Sequence, residues 1–144
     1  MKRSLRVTGL LAVFALGAWW GGSVARSQTG VVHVDSAKAA YKEVAPGAST
    51  TVVWGDIDKG PFGAFTKFVP GMSNALHTHT NGSRLVVIKG AYVYKPEKGP
   101  EKRVGAGEYI FIPGGDRHAT GADPKEGALF YQESDGKFDL NFVK

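Results

Sequence analysis

The chain has 144 residues and no cysteine, which excludes a scaffold held by disulfides and a lipoprotein attached through cysteine. Its formal net charge is +5, but four positive side chains and no acidic one lie in residues 1–27. The remaining residues therefore carry about +1 with mixed signs, which gives no argument for binding to nucleic acid.

The first 27 residues have the features of a secretory signal. Three positive side chains lie in the first six residues, a mostly apolar and uncharged stretch follows as far as Trp20, and small residues stand at Ala25 and Ser27. This order predicts a signal peptide over residues 1–27 and a periplasmic or secreted protein. The alternative is a retained membrane anchor, because an apolar helix reaching Ala25 would be about 28 Å long, which is borderline for a bilayer. Residues 28–144 are enough for one domain.

The rest of the chain has the pattern of short β-strands separated by turns. The one helical pattern, Ser36–Lys42 with Asp35 or Ser36 as its cap, is short. Segments rich in β-branched and aromatic residues alternate with glycine and proline pairs. The predicted strands are Thr51–Trp54, Phe62–Val69, Asn74–His79, Arg84–Lys89, Ala91–Lys95, Glu108–Ile112 and Ala128–Glu133. This spacing predicts an all-β fold, an antiparallel β-sandwich or barrel.

Three of the four histidines have the spacing of metal ligands. His77 and His79 alternate with Thr78 on a predicted strand, so their side chains project from the same face. Two imidazoles placed in this way can converge on one ion, and His118 is the candidate for a third ligand. A His-x-His pair taken alone fits two ordinary polar positions equally well.

The wider spacing resembles the two sequence motifs of the cupin superfamily. The first motif has a glycine, five residues, His-x-His and a closing glycine, which here are Gly71, His77-Thr78-His79 and Gly90. The second has a glycine, five residues, Pro-x-Gly, two residues and a histidine, which here are Gly107, Pro113-Gly114-Gly115 and His118. The resemblance covers residues 71–118. It implies a jelly-roll barrel that holds one divalent metal ion through His77, His79 and His118, with Fe, Zn, Mn, Ni and Cu not distinguished.

The chain departs from the cupin motifs at two positions. Ser83 stands where the first motif has a glutamate, and Ala122 stands where the second often has an asparagine. The resemblance therefore implies three neutral nitrogen ligands without a carboxylate, which leaves the ion its full charge and a free coordination position. A decayed site is the alternative, although decay is also expected to erode the histidines.

The other polar residues near the motifs carry weaker indications. Strand alternation is expected to turn Ser83 toward the metal and Arg84 away from it. The aromatic pairs on two strands, Tyr92 with Tyr94 and Tyr109 with Phe111, are expected to be mostly core. His33 has no partner in the sequence and is expected at the surface, and the loop from Lys95 to Arg103 is expected to be solvated.

Three functions remain open, and the sequence assigns no catalytic residue. One is a metal-dependent dioxygenase or lyase acting on a small anionic or chelating molecule, as in three-histidine cupins that oxidise thiols or cleave β-diketones. A zinc hydrolase is the second, disfavoured because no general base lies beside the ligands. The third is a non-enzymatic module that binds a metal or small molecule. The expected partner is a small-molecule ligand, with no nucleic acid and no stable membrane association after signal cleavage, and a homodimer is left open.

Overall fold

The computed structural model describes residues 30–144, and in this range the chain forms ten β-strands and no α-helix. The strands are β1 (Lys42–Ala45), β2 (Ala48–Gly55), β3 (Phe62–Phe68), β4 (His77–Thr78), β5 (Ser83–Pro96), β6 (Lys102–Gly105), β7 (Tyr109–Ile112), β8 (His118–Ala122), β9 (Ala128–Ser134) and β10 (Asn141–Phe142). The all-β class is confirmed. The predicted signal peptide lies outside the described residues, and none of the described residues forms a helix that could span a bilayer.

All strand pairs are antiparallel, and together they form one curled sheet in the shape of a half-barrel. The strand order is β1-β2-β3-β9-β5-β8-β4-β10, and β6 and β7 pair with β5. The first part of β5 pairs with β9 and β7, whereas its last part pairs with β8 and β6. β5 therefore belongs to both halves of the sheet: β1, β2, β3, β7 and β9 form the first half, and β4, β6, β8 and β10 form the second.

The change of partners within β5 depends on Gly90. Its φ is 68°, in the left-handed region, and a Cβ atom there would lie 2.1 Å from the carbonyl oxygen of Gly127. The register with β9 is also irregular between Val87 and Lys89. Only glycine fits such a bend, so the two strands predicted on either side of Gly90 become one strand of 14 residues.

The interior is lined by alternate residues of the central strands. On β5, Ser83, Leu85 and Val87 are buried while their neighbours face outward, and β9 buries every second residue. The ring of Phe130, 1% exposed, lies 5.0 Å from Phe68 and 5.3 Å from Tyr92. Removing a buried phenylalanine ring of this kind costs about 3–5 kcal/mol. The apolar residues thus hold the two halves of the sheet together.

The predicted helix over Ser36–Lys42 is wrong. Asp35 does cap a turn, since its carbonyl oxygen accepts bonds from the amides of Lys38 and Ala39 and its carboxylate accepts one from Ala37. No second turn follows, because β1 begins at Lys42 and pairs with β2. One turn does not repay the cost of helix nucleation, and from Lys42 the backbone bonds to β2 instead.

The predicted strands differ from the observed ones mainly where strands are very short. The strand predicted over Asn74–His79 contains only His77–Thr78, and β1, β6, β8 and β10 were not predicted. Each of these strands has two to five residues. Segments of that length contain too few alternating polar and apolar residues to be recognised as strands in the sequence. They become strands because they pair with neighbouring strands.

Candidate metal centre

One turn and one strand pair bring the histidines together. His77 lies on β4 and His79 follows it directly, as the alternation predicted. His118 opens β8, where it pairs directly with His77. The turn before it is held against the His77–His79 segment, because the amide of Gly115 donates a 2.8 Å hydrogen bond to the carbonyl oxygen of His79. The structure therefore brings all three predicted ligands into one cluster.

The imidazole rings are close enough to share an ion. The ring centroid of His77 lies 4.9 Å from that of His79 and 4.6 Å from that of His118, and the last two centroids are 5.5 Å apart. One ring nitrogen of each histidine lies within 4.8 Å of the corresponding nitrogens of the other two. Nitrogens about 2.0–2.1 Å from a common ion are separated by little more than 3 Å, so small side-chain rotations complete such a site. The cluster can thus hold one metal ion.

Hydrogen bonds fix which nitrogen of each ring is free. The Nδ1 atoms of His77 and His118 donate to the carbonyl oxygens of Ala75 and Asp116, at 2.7 and 3.1 Å, and Nδ1 of His79 donates to the carbonyl oxygen of Asp139. A carbonyl oxygen only accepts, so the proton of each neutral ring resides on Nδ1. Each Nε2 is left with a lone pair, the form in which histidine binds metals.

A buried lone pair without a hydrogen-bond partner or a bound ion lowers the stability of the folded protein. His77 and His118 are 1% and 0% exposed, and Nε2 of His118 is a buried atom with no hydrogen-bond partner among the described residues. Burial also lowers the pKa of His77 and of His79, and the neighbouring histidines lower it further, although the hydrogen bonds to carbonyl oxygens oppose this. Burial therefore favours the neutral rings of His77 and His79, and the residues of the cluster fit a divalent cation.

A tyrosine and a carboxylate contact the His118 ring. Tyr94 stacks on the His118 ring at 5.4 Å and donates a 2.8 Å hydrogen bond to Oδ2 of Asp116. The same Oδ2 lies 3.2 Å from Nδ1 of His118. Burial and the bond to Asp116 raise the pKa of Tyr94 to about 12, so its hydroxyl remains a donor. Carboxylates at this position orient histidine ligands and increase their basicity.

Ser83 and Arg84 point in opposite directions, as predicted. Ser83 is 8% exposed and lines the same interior cavity as His77 and His79. Arg84 lies on the outer face, where its guanidinium pairs with Asp135 at 2.8 Å. Ala122, the other departure from the motifs, is buried on β8. The missing carboxylate therefore leaves a small hydroxyl facing the cavity.

The other residues singled out in the sequence lie in the cavity, beside the histidines or at the surface. Tyr92 is buried and lines the cavity, and Tyr94 packs on His118 as described above. Tyr109 and Phe111, expected to be core, are 58% and 48% exposed, because β7 turns them to the outer face of the sheet. His33 is exposed, as predicted.

The segment after β9 completes the site, and the sequence analysis missed it. Phe138 lies 5.0 Å from the His79 ring, Phe142 lies 6.4 Å from the His77 ring, and β10 pairs with β4. Both oxygens of the Asp139 carboxylate accept hydrogen bonds from Thr80, at 2.7 and 2.6 Å. Burial raises the pKa of Asp139, but these bonds outweigh it and hold the pKa below its usual value. The aromatic spacing of Phe138 and Phe142 is the one signal that could have indicated a role.

Two of the three histidines, His77 and His79, face a cavity of about 620 Å³ inside the half-barrel. His77, His79 and Ser83 line it, as do apolar side chains that include Leu85, Phe130 and Leu140. The volume lies within the range of small-molecule sites, and the lining combines apolar walls with a few polar groups. This cavity is therefore the candidate ligand site.

Comparisons with known proteins support the same fold. The profile of a family described as ChrR cupin-like domain matches residues 29–135. The polyketide cyclase RemF of Streptomyces resistomycificus is similar over 80% of this chain and 87% of its own, with 19% identity and a TM-score of 0.68. Salicylate 1,2-dioxygenase of Pseudoaminobacter salicylatoxidans, in complex with gentisate, is similar over 67% of this chain and 30% of its own, with 16% identity and a TM-score of 0.55. At these identities the structures establish the fold alone.

A plant protein is similar in sequence over part of its length. The "DNA damage-repair/toleration protein DRT102" of Arabidopsis thaliana is 32% identical over 99 residues. The aligned region is 68% of this chain but 30% of the plant protein. The chain thus spans less than a third of that relative.

Proposed function

This chain belongs to the ChrR cupin-like family, and from that premise we propose that it binds one divalent metal ion through His77, His79 and His118. We further propose that the ion's free positions take a small anionic, chelating molecule held in the cavity. The reaction that follows is of the dioxygenase or lyase class. The observation that carries the proposal is the buried Nε2 atom of His118, which has no hydrogen-bond partner among the described residues.

The donor set supports a metal that keeps most of its positive charge. A bound divalent cation would act as a Lewis acid toward oxygen atoms of a ligand. Ser83 supplies no negative charge where the cupin motif has glutamate, so an anionic ligand meets no competing carboxylate there. The residues of the chain orient the three rings and keep protons on the Nδ1 atoms, and Phe138 and Phe142 lie against the rings of His79 and His77.

A non-enzymatic binding module is the second candidate, and one observation favours it. Lys42, Glu43 and Asp58 are the charged side chains among the described cavity-lining residues, and all three are exposed. Beside the cluster, no charged side chain of a described residue lines the cavity, and the Asp116 carboxylate contacts His118 at Nδ1 without lining the cavity. Chemistry at this site would depend on the metal. The proteins of similar fold include a polyketide cyclase and a dioxygenase, which supports the enzymatic proposal by analogy.

The metal site is tested by comparing His118→Ala with His33→Ala. We expect the first change to weaken metal binding about tenfold or more, because it removes one of three ligands, and the second to leave it unchanged. Metal content by mass spectrometry and affinity by competition with a chelator are the measurements. Equal metal binding by the two variants would remove His118 from the site.

The reaction class is tested on metal-loaded protein with β-diketones and thiols as probes. Oxygen uptake that depends on both the metal and the probe would identify a dioxygenase, and probe cleavage without oxygen uptake would identify a lyase. Tight binding of a probe that is recovered unchanged would favour the binding module. The His118→Ala protein is the control, since it keeps the cavity and loses a ligand.

We also propose that the protein is exported and periplasmic or secreted. The family profile begins at residue 29, which supports a separate role for residues 1–27. The exported protein should then begin at or near Gln28. Mass measurement of material from the native compartment tests this, and an intact Met1 start would indicate a retained anchor.

A further inference from the structure

A second polar group lies in the cavity, on the half of the sheet that does not carry the histidines. Thr50, Thr66 and Gln132 are buried on β2, β3 and β9, and all three line the cavity. The hydroxyl oxygens of Thr50 and Thr66 are 3.1 Å apart, and Nε2 of Gln132 donates a 3.0 Å hydrogen bond to Oγ1 of Thr66. We call these three residues the Thr-Gln band.

The hydrogen bonds of the Thr-Gln band leave two hydrogens and one acceptor free, since the second N–H of the Gln132 amide also has no acceptor among the described residues. The two hydroxyls have two hydrogens, but one hydrogen bond joins them, so one hydrogen has no acceptor whichever threonine donates. Oε1 of Gln132 likewise accepts no hydrogen bond from a described residue. Among the described residues only Nε2 of His118 is both fully buried and without a partner, so Oε1 of Gln132 is accessible from the cavity. This oxygen and the free hydrogens of the band suit a ligand that both donates and accepts.

The position and charge of the Thr-Gln band restrict that ligand. Its residues belong to strands in the first half of the sheet, whereas His77 and His118 lie on β4 and β8 in the second. Facing sheets in β-sandwiches pack about 10 Å apart, which a molecule of one ring and a short side chain can span. The side chains of the band are uncharged, so the end of the ligand they contact is neutral.

We propose that the cavity selects a molecule with two polar ends: a chelating oxygen pair at the histidines and a neutral hydroxyl group at the Thr-Gln band, joined by an apolar ring. This inference deepens the proposed function and rests on it, because one end of the ligand lies on the metal. Leu85, Tyr92 and Phe130 line the same cavity and provide apolar contacts for the ring.

The test uses two β-diketones that differ in one group, 1-phenylbutane-1,3-dione and its para-hydroxyphenyl analogue. Calorimetric titration of Zn²⁺-loaded protein gives the affinity of each probe. We expect the hydroxylated probe to bind roughly three- to tenfold more tightly, the usual contribution of a buried neutral hydrogen bond. In the Thr50→Val/Thr66→Val variant, which conserves shape, the preference should disappear while the phenyl probe binds as before.

Thr120→Val is the matched control, since Thr120 is a buried threonine of the same cavity on β8. This variant should keep the preference for the hydroxyl. Gln132→Leu gives a second measurement, because it removes the free acceptor and the donor to Thr66 while both threonine hydroxyls remain, and it should reduce the preference. Equal affinity of the two probes for the native protein, or a preference that survives in the double variant, would overturn the inference.

The same experiment separates failure of the proposed metal site from failure of the inference about the Thr-Gln band. Protein that takes up no Zn²⁺ would overturn both the metal site and the inference that depends on it. Protein that takes up Zn²⁺ and binds both probes equally would overturn the inference alone. Zinc uptake is therefore measured first on each variant.

Discussion

The charge at the candidate metal centre depends on one residue, Ser83. Its side chain faces the cavity on β5, next to the outward-facing Arg84. A glutamate at this position would add a charged fourth ligand to three neutral ones, and the serine hydroxyl is a poor ligand for a divalent ion. In the function proposed above, this residue sets the balance between affinity for the metal and affinity for an anionic ligand.

Restoring the carboxylate with Ser83→Glu should tighten metal binding and weaken the binding of anionic probes. The added charge offsets part of the charge on the ion and occupies a free position, with an expected change of about tenfold or more in metal affinity. Paired titrations with metal and with a β-diketonate measure both effects. Arg84→Glu is the control, since it places a carboxylate one residue away on the outer face.

A decayed site would give a different pattern from the same substitution. If the native protein has no affinity for the anionic probes, Ser83→Glu would increase metal affinity and there would be no loss of anion binding. No gain in metal affinity would mean that Ser83 does not reach the ion.

At the scale of an element, the segment that contains β10 contacts the candidate metal centre. Asp139 provides the carbonyl oxygen that accepts the Nδ1 proton of His79, and its carboxylate fixes the segment to Thr80. The family profile ends at residue 135, so this support lies beyond the matched region. The orientation of one candidate ligand thus depends on residues outside the two cupin motifs.

Releasing the segment with Asp139→Ala should weaken metal binding by roughly 10- to 100-fold, the usual effect of disturbing a residue that orients a metal ligand. Asp135→Asn is the matched control, because Asp135 forms an exposed ion pair with Arg84 and does not contact the histidines. Metal affinity and urea unfolding are measured for both. Loss of stability with unchanged metal affinity in Asp139→Ala would assign the segment to folding alone.

At the scale of the whole molecule, the motifs predicted the proximity of the three histidines better than the pattern of residues predicted the strands. The glycine and histidine spacing placed His77, His79 and His118 in one cluster because those positions depend on turns of fixed length. The outward-facing Tyr109 and Phe111 were expected to be core, since hydrophobic character does not reveal which face of a sheet is covered. The Asp139 contact with His79 links residues 60 apart, and no local pattern reports such a pairing.

The stability of the metal-free protein should depend on pH because of the histidine cluster. Burial holds the pKa of His77 and His79 below the value of about 6.5 that they have in the unfolded chain. The unfolded chain therefore binds more protons as the pH falls below about 6.5, and the free energy of unfolding decreases until the folded pKa is passed. Each histidine contributes at most about 1.4 kcal/mol per pH unit.

Urea unfolding of the metal-free protein between about pH 7.5 and pH 5.5 measures this dependence. The His77→Gln/His79→Gln variant should show a flatter profile, and His33→Gln, which changes an exposed histidine, should not. A profile that is equally steep in the double variant would contradict the assignment to the cluster.

The pairing of β10 with β4 also fixes when the metal centre can form during synthesis. A ribosome adds His77, His79 and His118 before it adds Asp139 and Phe142, so the nascent chain holds all three ligands before it holds their full support. Until that last segment is made, Nδ1 of His79 lacks its acceptor and the rings of His77 and His79 lack their aromatic neighbours. The histidine cluster thus acquires these contacts only after translation has passed residue 142.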